Sequence, residues 1–317
     1  MPGDFYIQPD APDLVLPADV ALDLARRHAP DAQAVTGVDE SGGEARTYAI
    51  DESLILKTQR PQQLRPRTSL RKEIFFLRQI ATQAPDLHVP RVLGHGIGHD
   101  ENGIAIEYTL MTRMPGIAMR HANQDASVRR DALRQLGRTL RIIHSLDQAP
   151  FLDSELLPGD HSFVDVQIRF GRYFGDLADD VRYGEAKWAF DLTPEQVGAK
   201  ALASLPASRE RVAVHSNPYL EHVFVNAETG HFSGLIDFGD AFISHPACDL
   251  RRWTRPDDRE ALLEGYTTDG PVSDTFLATW RVLGIFTNAM VMAYYAEHAP
   301  ERSAEAKALL QRQLAEL

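Results

Sequence analysis

Lys57 is the first residue whose setting asks for chemistry. It lies in the apolar run LILKT, Leu54 to Thr58, and an ammonium placed there is costly unless an anion meets it. Glu73, in the following LRKEIFFLRQI, can supply that anion. The pair would then present the lysine to phosphate groups. The plainer alternative is a lysine snorkelling at a strand end, with Glu73 on a solvated helix face.

A second concentration of chemistry falls in VAVHSNPYLEHVFVNAETGHFSGLIDFGDAFISHPACDL, Val212 to Leu250. His215, Asn217 and His222 crowd one loop between apolar runs. Asp237 and Asp240 flank Gly239 at the end of a strand, and Asp249 follows. Carboxylates at a strand mouth beside a flexible glycine suit Mg²⁺, which takes oxygen ligands together with phosphate. The bland counterpart is a pair of turn aspartates and some loop histidines.

Other chemistries lack their motifs. The chain has no GxxxxGK[ST], no HExxH and no GxSxG, so P-loop, zinc-protease and nucleophile-elbow sites are unsupported. His215 and His222 do not have metalloprotease spacing. Cys248 is the single cysteine, which rules out an intrachain disulfide framework and any Cys-rich metal centre.

Several elements must position these residues. PADVALDLARRH, Pro17 to His28, reads as a short helix after a loose arm that ends near Leu16. Ala34 to Glu40, Ala45 to Ile50 and Leu54 to Thr58 read as strands, with a turn at Ser41 to Gly43. A Pro- and Arg-rich stretch from Arg60 to Arg67 leads into the helix that places Glu73, Phe76, Leu77 and Ile80 on one face. HVPRVLGHG is a loop or edge strand, and Ile104 to Gly116 opens as a strand and closes in a turn. Asp131 to Leu146 carries a stripe of Leu133, Leu136, Leu140 and Ile143 and forms a helix. Residues 151 to 192 read as irregular helices. Pro194 opens another helix. The runs on either side of NAETG form a hairpin, and Thr275 to Tyr295 and Glu301 to Leu314 are closing helices.

The 317 residues allow two domains, and Lys plus Arg number 33 against 45 Asp plus Glu, a net charge of −12. That balance disfavours a nonspecific grip on nucleic acid or anionic membrane. The longest uncharged apolar segment, Val282 to Ala296, is too short for a bilayer and reads as a buried helix. With no leader-like N-terminus, the expected setting is the cytoplasm.

Taken in order, these motifs resemble the aminoglycoside phosphotransferase family, small-molecule kinases with a protein-kinase-like bilobal α+β fold. Lys57 falls where the family's phosphate-binding lysine lies and Glu73 where its helical partner lies. LMTRMPG, Leu110 to Gly116, resembles the hinge that holds a purine through backbone groups, which assigns Leu110, Met111 and Thr112 to the nucleotide. LGRTLRIIHSL resembles the helix before the catalytic region, HSNPYLEHVFV the catalytic loop, and IDFGDAFISHPACDL the metal-binding segment. The resemblance implies an N-terminal nucleotide-binding lobe over residues 1–112 and a catalytic and acceptor-binding lobe over 113–317. It implies ATP or GTP as co-substrate, Mg²⁺ on Asp237 with His222 nearby, His215 as a brace of the loop, and a small-molecule hydroxyl as acceptor. His222 stands where an asparagine is usual, as in macrolide kinases. Asp249 would hold backbone in the helical domain, and Glu221 reads as a surface residue.

Asn217 departs from the pattern. The family places there an aspartate that orients the acceptor hydroxyl and takes its proton, and an amide cannot act as a base near neutral pH. The asparagine is readable as an introduced change that traps ligands, as natural in a nucleotide binder without turnover, or as tolerated by a working enzyme. For the acceptor, Asp165, Asp176, Asp179 and Asp180 could attract a polyamine, or form a solvated acidic face. Trp280, Phe286, Met290, Met292, Tyr294 and Tyr295 could line an apolar pocket, or be plain core.

Overall fold

The computed structural model describes residues 15–40, 42–60, 69–100 and 103–317. The arm expected before Leu16 lies almost wholly outside them, as do Ser41 of the expected turn and residues 61–68 of the Pro- and Arg-rich stretch.

In chain order the first elements are α1 (Ala18–Arg26), β1 (Val35–Asp39), β2 (Ala45–Ile50), β3 (Leu54–Gln59), α2 (Leu70–Gln83), β4 (Val92–His99), β5 (Ala105–Thr112) and β6 (Ile117–Ala118). There follow α3 (Ala126–His144), α4 (Ala149–Leu152), α5 (Phe163–Tyr183), α6 (Pro194–Ala203), β7 (Val212–Val214), β8 (Val223–Val225), β9 (Phe232–Leu235) and β10 (Phe242–Ser244). The chain closes with α7 (Pro256–Tyr266), α8 (Asp274–His298) and α9 (Pro300–Ala315). This is the expected α+β class. Two compact units interleave along the chain: Met1–Ala132, Ser145–Pro158 and His215–Phe242 in the first, and Leu133–His144, Gly159–Val214 and Ile243–Leu317 in the second.

The first unit is built on an antiparallel five-stranded sheet in the order β1-β2-β3-β5-β4. Strand side chains alternate between faces. Tyr48, Ile50, Leu56, Ile106, Tyr108 and Leu110 pack with Leu24 and Ala25 of α1 in one core. That alternation sends Lys57, the neighbour of Leu56, to the opposite face. Gly94, Gly96 and Gly98 give β4 a side-chain-free stripe on the α1 face. A Cβ at Gly94 would overlap the His28 ring, and one at Gly98 would stand 2.7 Å from Leu24. HVPRVLGHG thus contributes an edge strand whose glycines let a helix approach.

Ser69 caps α2 by accepting from the Lys72 N–H, and Glu73, Phe76, Leu77 and Ile80 form its buried side as their spacing predicts. A smaller sheet in the order β6-β8-β9 completes the unit's framework. Its β8–β9 hairpin turns at NAETG, where the Asn226 side chain accepts from Glu228 and Thr229 N–H.

The second unit is mainly helical. Residues 151–192 contain one regular 21-residue helix, α5, where irregular helices were expected. Ser162 and Asp165 form a capping box, Val166, Phe170, Phe174 and Leu177 bury one side, and Gly184 closes the helix in the left-handed conformation. The capping pattern was present in the sequence but obscured by scattered aromatics and aspartates. It also gives Asp165 a structural duty, and Asp179 pairs with Arg182 at 2.7 Å. α7 went unrecognised because its apolar positions are few. The closing helices α8 and α9 follow the expected pattern. By length and composition α8 could span a bilayer, yet 67% of its most apolar window is buried in the fold. Its large apolar residues divide: Trp280 and Met292 are core, Phe286 packs edge-on against Phe170 and Tyr173, and Tyr294 is exposed.

Candidate active site

β3 delivers Lys57 and α2 delivers Glu73, whose Oε2 lies 2.8 Å from Lys57 Nζ. Asp237, two residues beyond β9, places Oδ1 2.7 Å from the same nitrogen. One ammonium therefore serves two carboxylates. Glu73 is almost fully buried at 2% exposure, while Lys57 and Asp237 keep 16% and 31%. Glu73 also accepts from the Phe238 backbone N–H.

Burial alone would lower the Lys57 ammonium, but Asp237 and then Glu73 outweigh it and hold the group well above the usual lysine range. Burial would likewise push the Asp237 carboxyl up; Lys57, and after it His222, reverse this and hold it well below the usual carboxylate range. For Glu73, burial is the larger influence and the carboxyl is pushed up, against the pull of Lys57. The direction firmly fixed by the geometry is an ionised Lys57–Asp237 contact.

The loop between β7 and β8 is braced by its histidines. The Nε2–H of His215 donates to Ile236 O at 2.8 Å, which leaves Nδ1 to accept from Asn217 N–H at 3.2 Å. His222 Nδ1 donates to Asn217 O at 2.9 Å, while its Nε2 stands 3.2 Å from Asp237 Oδ2. Both His222 nitrogens therefore face oxygen atoms of the site. Thus Lys57, Glu73, Asp237, His222, His215 and Asn217 form one hydrogen-bonded cluster. Asp249 belongs to the second unit, where His144 Nε2 lies 3.0 Å from its Oδ2. Glu221 is half exposed and lies 3.6 Å from Arg120.

Backbone strain concentrates in this cluster. Ser216 and Asp237 have φ of +85° and +70°, the left-handed region that costs a non-glycine residue about 1–3 kcal/mol. Residues in such conformations persist where the surroundings hold them, often at ligand sites. Sequence reasoning missed Ser216 for this reason, since φ leaves no mark on composition. It also missed Phe238, fully buried against Phe76 at 5.1 Å and the His215 ring at 4.6 Å. The one available signal was a large apolar residue directly after a site aspartate. Gln59 and Arg60 were missed as well. Arg60 donates to Glu40 O and Gly42 O, and Gln59 to Glu44 O, so the β1–β2 turn is tied to the strand that carries Lys57.

Leu110 and Met111 lie inside β5, paired with β3 on one side and β4 on the other. The Leu110 side chain belongs to the core under α1. Thr112 N–H donates to Arg91 O, and Thr112 Oγ1 accepts from Arg91 N–H. Met114 N–H, two residues on, makes no hydrogen bond among the described residues.

No group of three or more His, Cys, Asp or Glu side chains converges as a metal cage among the described residues. Mg²⁺ does not require one. It keeps waters and binds through one or two carboxylates together with substrate phosphates. The half-open Asp237 carboxylate fits a phosphate-borne Mg²⁺, with His222 a poorer nitrogen neighbour for that ion.

The chain belongs to the phosphotransferase enzyme family known as APH, whose profile matches residues 37–281. Solved structures of similar fold include the GDP and kanamycin complex of APH(2″)-IIIa, at a TM-score of 0.60 and 13% identity over 93% of this chain and 98% of that one. Macrolide 2′-phosphotransferase MphH from Brachybacterium faecium has a TM-score of 0.60 at 18% identity, over 92% and 97% of the two chains. The ADP-bound aminoglycoside phosphotransferase APH(2″)-Ib has 0.60 at 16%, over 94% and 98%. No curated protein sequence matches the chain.

Proposed function

We propose that this chain transfers the γ-phosphoryl group of ATP or GTP, carried with Mg²⁺, to a hydroxyl of a small molecule. The observation that carries the reading is the ammonium of Lys57 held between Glu73 and Asp237 at 2.8 and 2.7 Å. Glu73 fixes the lysine so that its charge is presented to the phosphate oxygens. Asp237, with His222 beside it, would hold Mg²⁺, which when bound neutralises phosphate charge. The stretch from Met111 through Thr112 to Met114 meets the purine, with Met114 N–H as the donor, while Leu110 stays in the core under α1. The nucleotide-binding lobe spans residues 1–112 and the acceptor lobe 113–317. GDP and ADP in the similar structures support a nucleotide co-substrate, and kanamycin in one of them supports a hydroxyl-bearing antibiotic as acceptor. The proposed setting is the cytoplasm, without nucleic-acid or membrane partners.

Asn217 sets the rate. His215 and His222 hold its backbone on both sides, so its side chain can receive and orient an alcohol. Positioning of this kind supplies much of phosphoryl transfer. Its amide cannot take the proton, a deficit of roughly 10²–10⁴ in rate. Calorimetry with Mg²⁺ and ATP or GTP tests binding; absence of heat with both ends the reading. Asn217→Asp is expected to raise transfer to aminoglycosides, macrolides, amino alcohols or sugars by about that factor. A second reading, nucleotide binding without turnover, is favoured by Asn217 itself. It prevails if nucleotide binds and neither form phosphorylates any acceptor.

A further inference from the structure

The face of α2 next to Glu73 lines a groove that the nucleotide site does not use. Arg71, Ile74, Phe75 and Arg78 recur at spacings of three and four and form one stripe of the helix. β4 supplies the facing wall. Its glycines point toward α1, so alternation turns His95 and Ile97 to the α2 side, and Leu156 joins the lining. The groove is half open to solvent and offers about 490 Å³, within the volume range of small-molecule sites.

The lining is apolar in its middle and basic at its rim. Ile97 and Leu156 are 54% and 40% exposed, apolar surface whose removal from water by a ligand body favours binding. Among the described lining residues Glu107 is the one acid, and Arg71 Nη2 already engages its Oε1 at 3.0 Å. Arg78 makes no ion pair among the described residues. Arg71 and Arg78 against Glu107 leave one net positive charge on this lining, in a chain of net charge −12. Among the described lining residues no unpaired carboxylate awaits a cationic ligand.

We propose that this groove binds a small free carboxylate carrying an apolar ring body. The carboxylate meets the Arg78 guanidinium, whose planar fork matches two oxygens. The ring lies on Ile74, Phe75 and Ile97. Binding does not require the nucleotide site, so it stands or falls separately from the phosphotransferase reading.

The probe is 2-naphthoate, titrated into the full chain by calorimetry, with uncharged 2-naphthamide as control. One saturable site is expected, with the amide at least tenfold weaker. Arg78→Glu is expected to weaken naphthoate at least tenfold, and Ile97→Asp to weaken both compounds. Both residues are exposed, so circular dichroism melts should match the parent. No saturation, equal binding of acid and amide, or an unchanged affinity in folded Arg78→Glu would each overturn the assignment.

Discussion

The two units each set a histidine against a carboxylate, and the two arrangements differ in how completely they close. In the second unit, the Tyr266 hydroxyl donates to His144 Nδ1 at 2.8 Å and His144 Nε2–H donates to Asp249 Oδ2 at 3.0 Å. Burial holds the Tyr266 hydroxyl above the usual tyrosine range, so it keeps the proton it donates. Its ring stacks on Phe276 at 5.3 Å. In the first unit, one ammonium is shared by two carboxylates, His222 adds a second donor, Asp237 sits at φ +70°, and the group stays partly open to solvent. The same residue types thus serve stability where every donor meets an acceptor in relaxed backbone. They are free to meet a ligand where charges outnumber partners and the backbone is strained.

The largest expected effect separates these roles. His144→Ala leaves the buried Asp249 carboxylate without its imidazole donor and should cost about 3 kcal/mol in urea unfolding. Nucleotide affinity of the folded fraction should be unchanged. A loss under 1 kcal/mol would mean that the second cluster is not a stability element. Lys57→Met should do the reverse. Nucleotide affinity with Mg²⁺ should fall about a hundredfold, near 2.7 kcal/mol, with a smaller change in stability because Glu73 and Asp237 can take up protons. Unaltered affinity would remove Lys57 from the phosphate site.

The contrast also explains what was legible in the chain. Lys57 and Glu73 could be singled out as candidates because a charge in an apolar strand and a carboxylate on an amphipathic helix are local patterns, although spacing alone left the snorkelling alternative open. The β2, β3 and β5 strands, α2, the β8–β9 hairpin and the closing helices were readable from periodicity and turns. The pairing of Lys57 with Asp237 was not, since it joins β3 to the end of β9 and depends on a left-handed residue. Phe238 looked like any core aromatic, and its packing between Phe76 and His215 is purely tertiary. α5 was under-read because its capping box was outweighed by the aspartates. HVPRVLGHG was legible only as a loop or edge strand; the reason for its glycines, close approach of His28 and Leu24, required the fold.

The closed side of the comparison can be sharpened by pH. His245 in the second unit caps the following helical turn by accepting from Ala247 N–H at 3.2 Å. Burial, with added repulsion from Arg211 and His144, pushes its ring from the ordinary 6.5 down to about 3. The folded ring therefore stays neutral where the unfolded one takes a proton. Its contribution is whole above pH 6.5 and is lost as pH falls toward 3, by at most about 1.4 kcal/mol per unit. His245→Asn keeps an acceptor for Ala247 and removes the titration. Its urea midpoint should fall less than the parent's between pH 7 and pH 4.5. Equal slopes would show that His245 is accessible to protons in the folded state.

The smallest expected effect bears on the open cluster and rests on the proposed nucleotide site. Asp237 Oδ1 occupies the side of Lys57 Nζ left over by Glu73, at 2.7 Å. Without a metal, nucleotide phosphates must compete with that carboxylate for the ammonium. With Mg²⁺ engaged by Asp237, the competition ends. Asp237→Asn keeps a residue that tolerates the left-handed backbone and removes the competing charge. Nucleotide affinity in excess EDTA should then rise about fivefold, roughly 1 kcal/mol. The gain in affinity on adding Mg²⁺ should shrink as well, because coupling between two ligands is reciprocal. Calorimetry at matched ionic strength reads both quantities. If metal-free affinity stays level or falls, Asp237 supports Lys57 in binding phosphate, and the open cluster works as a fixed cradle in which the two carboxylates act together.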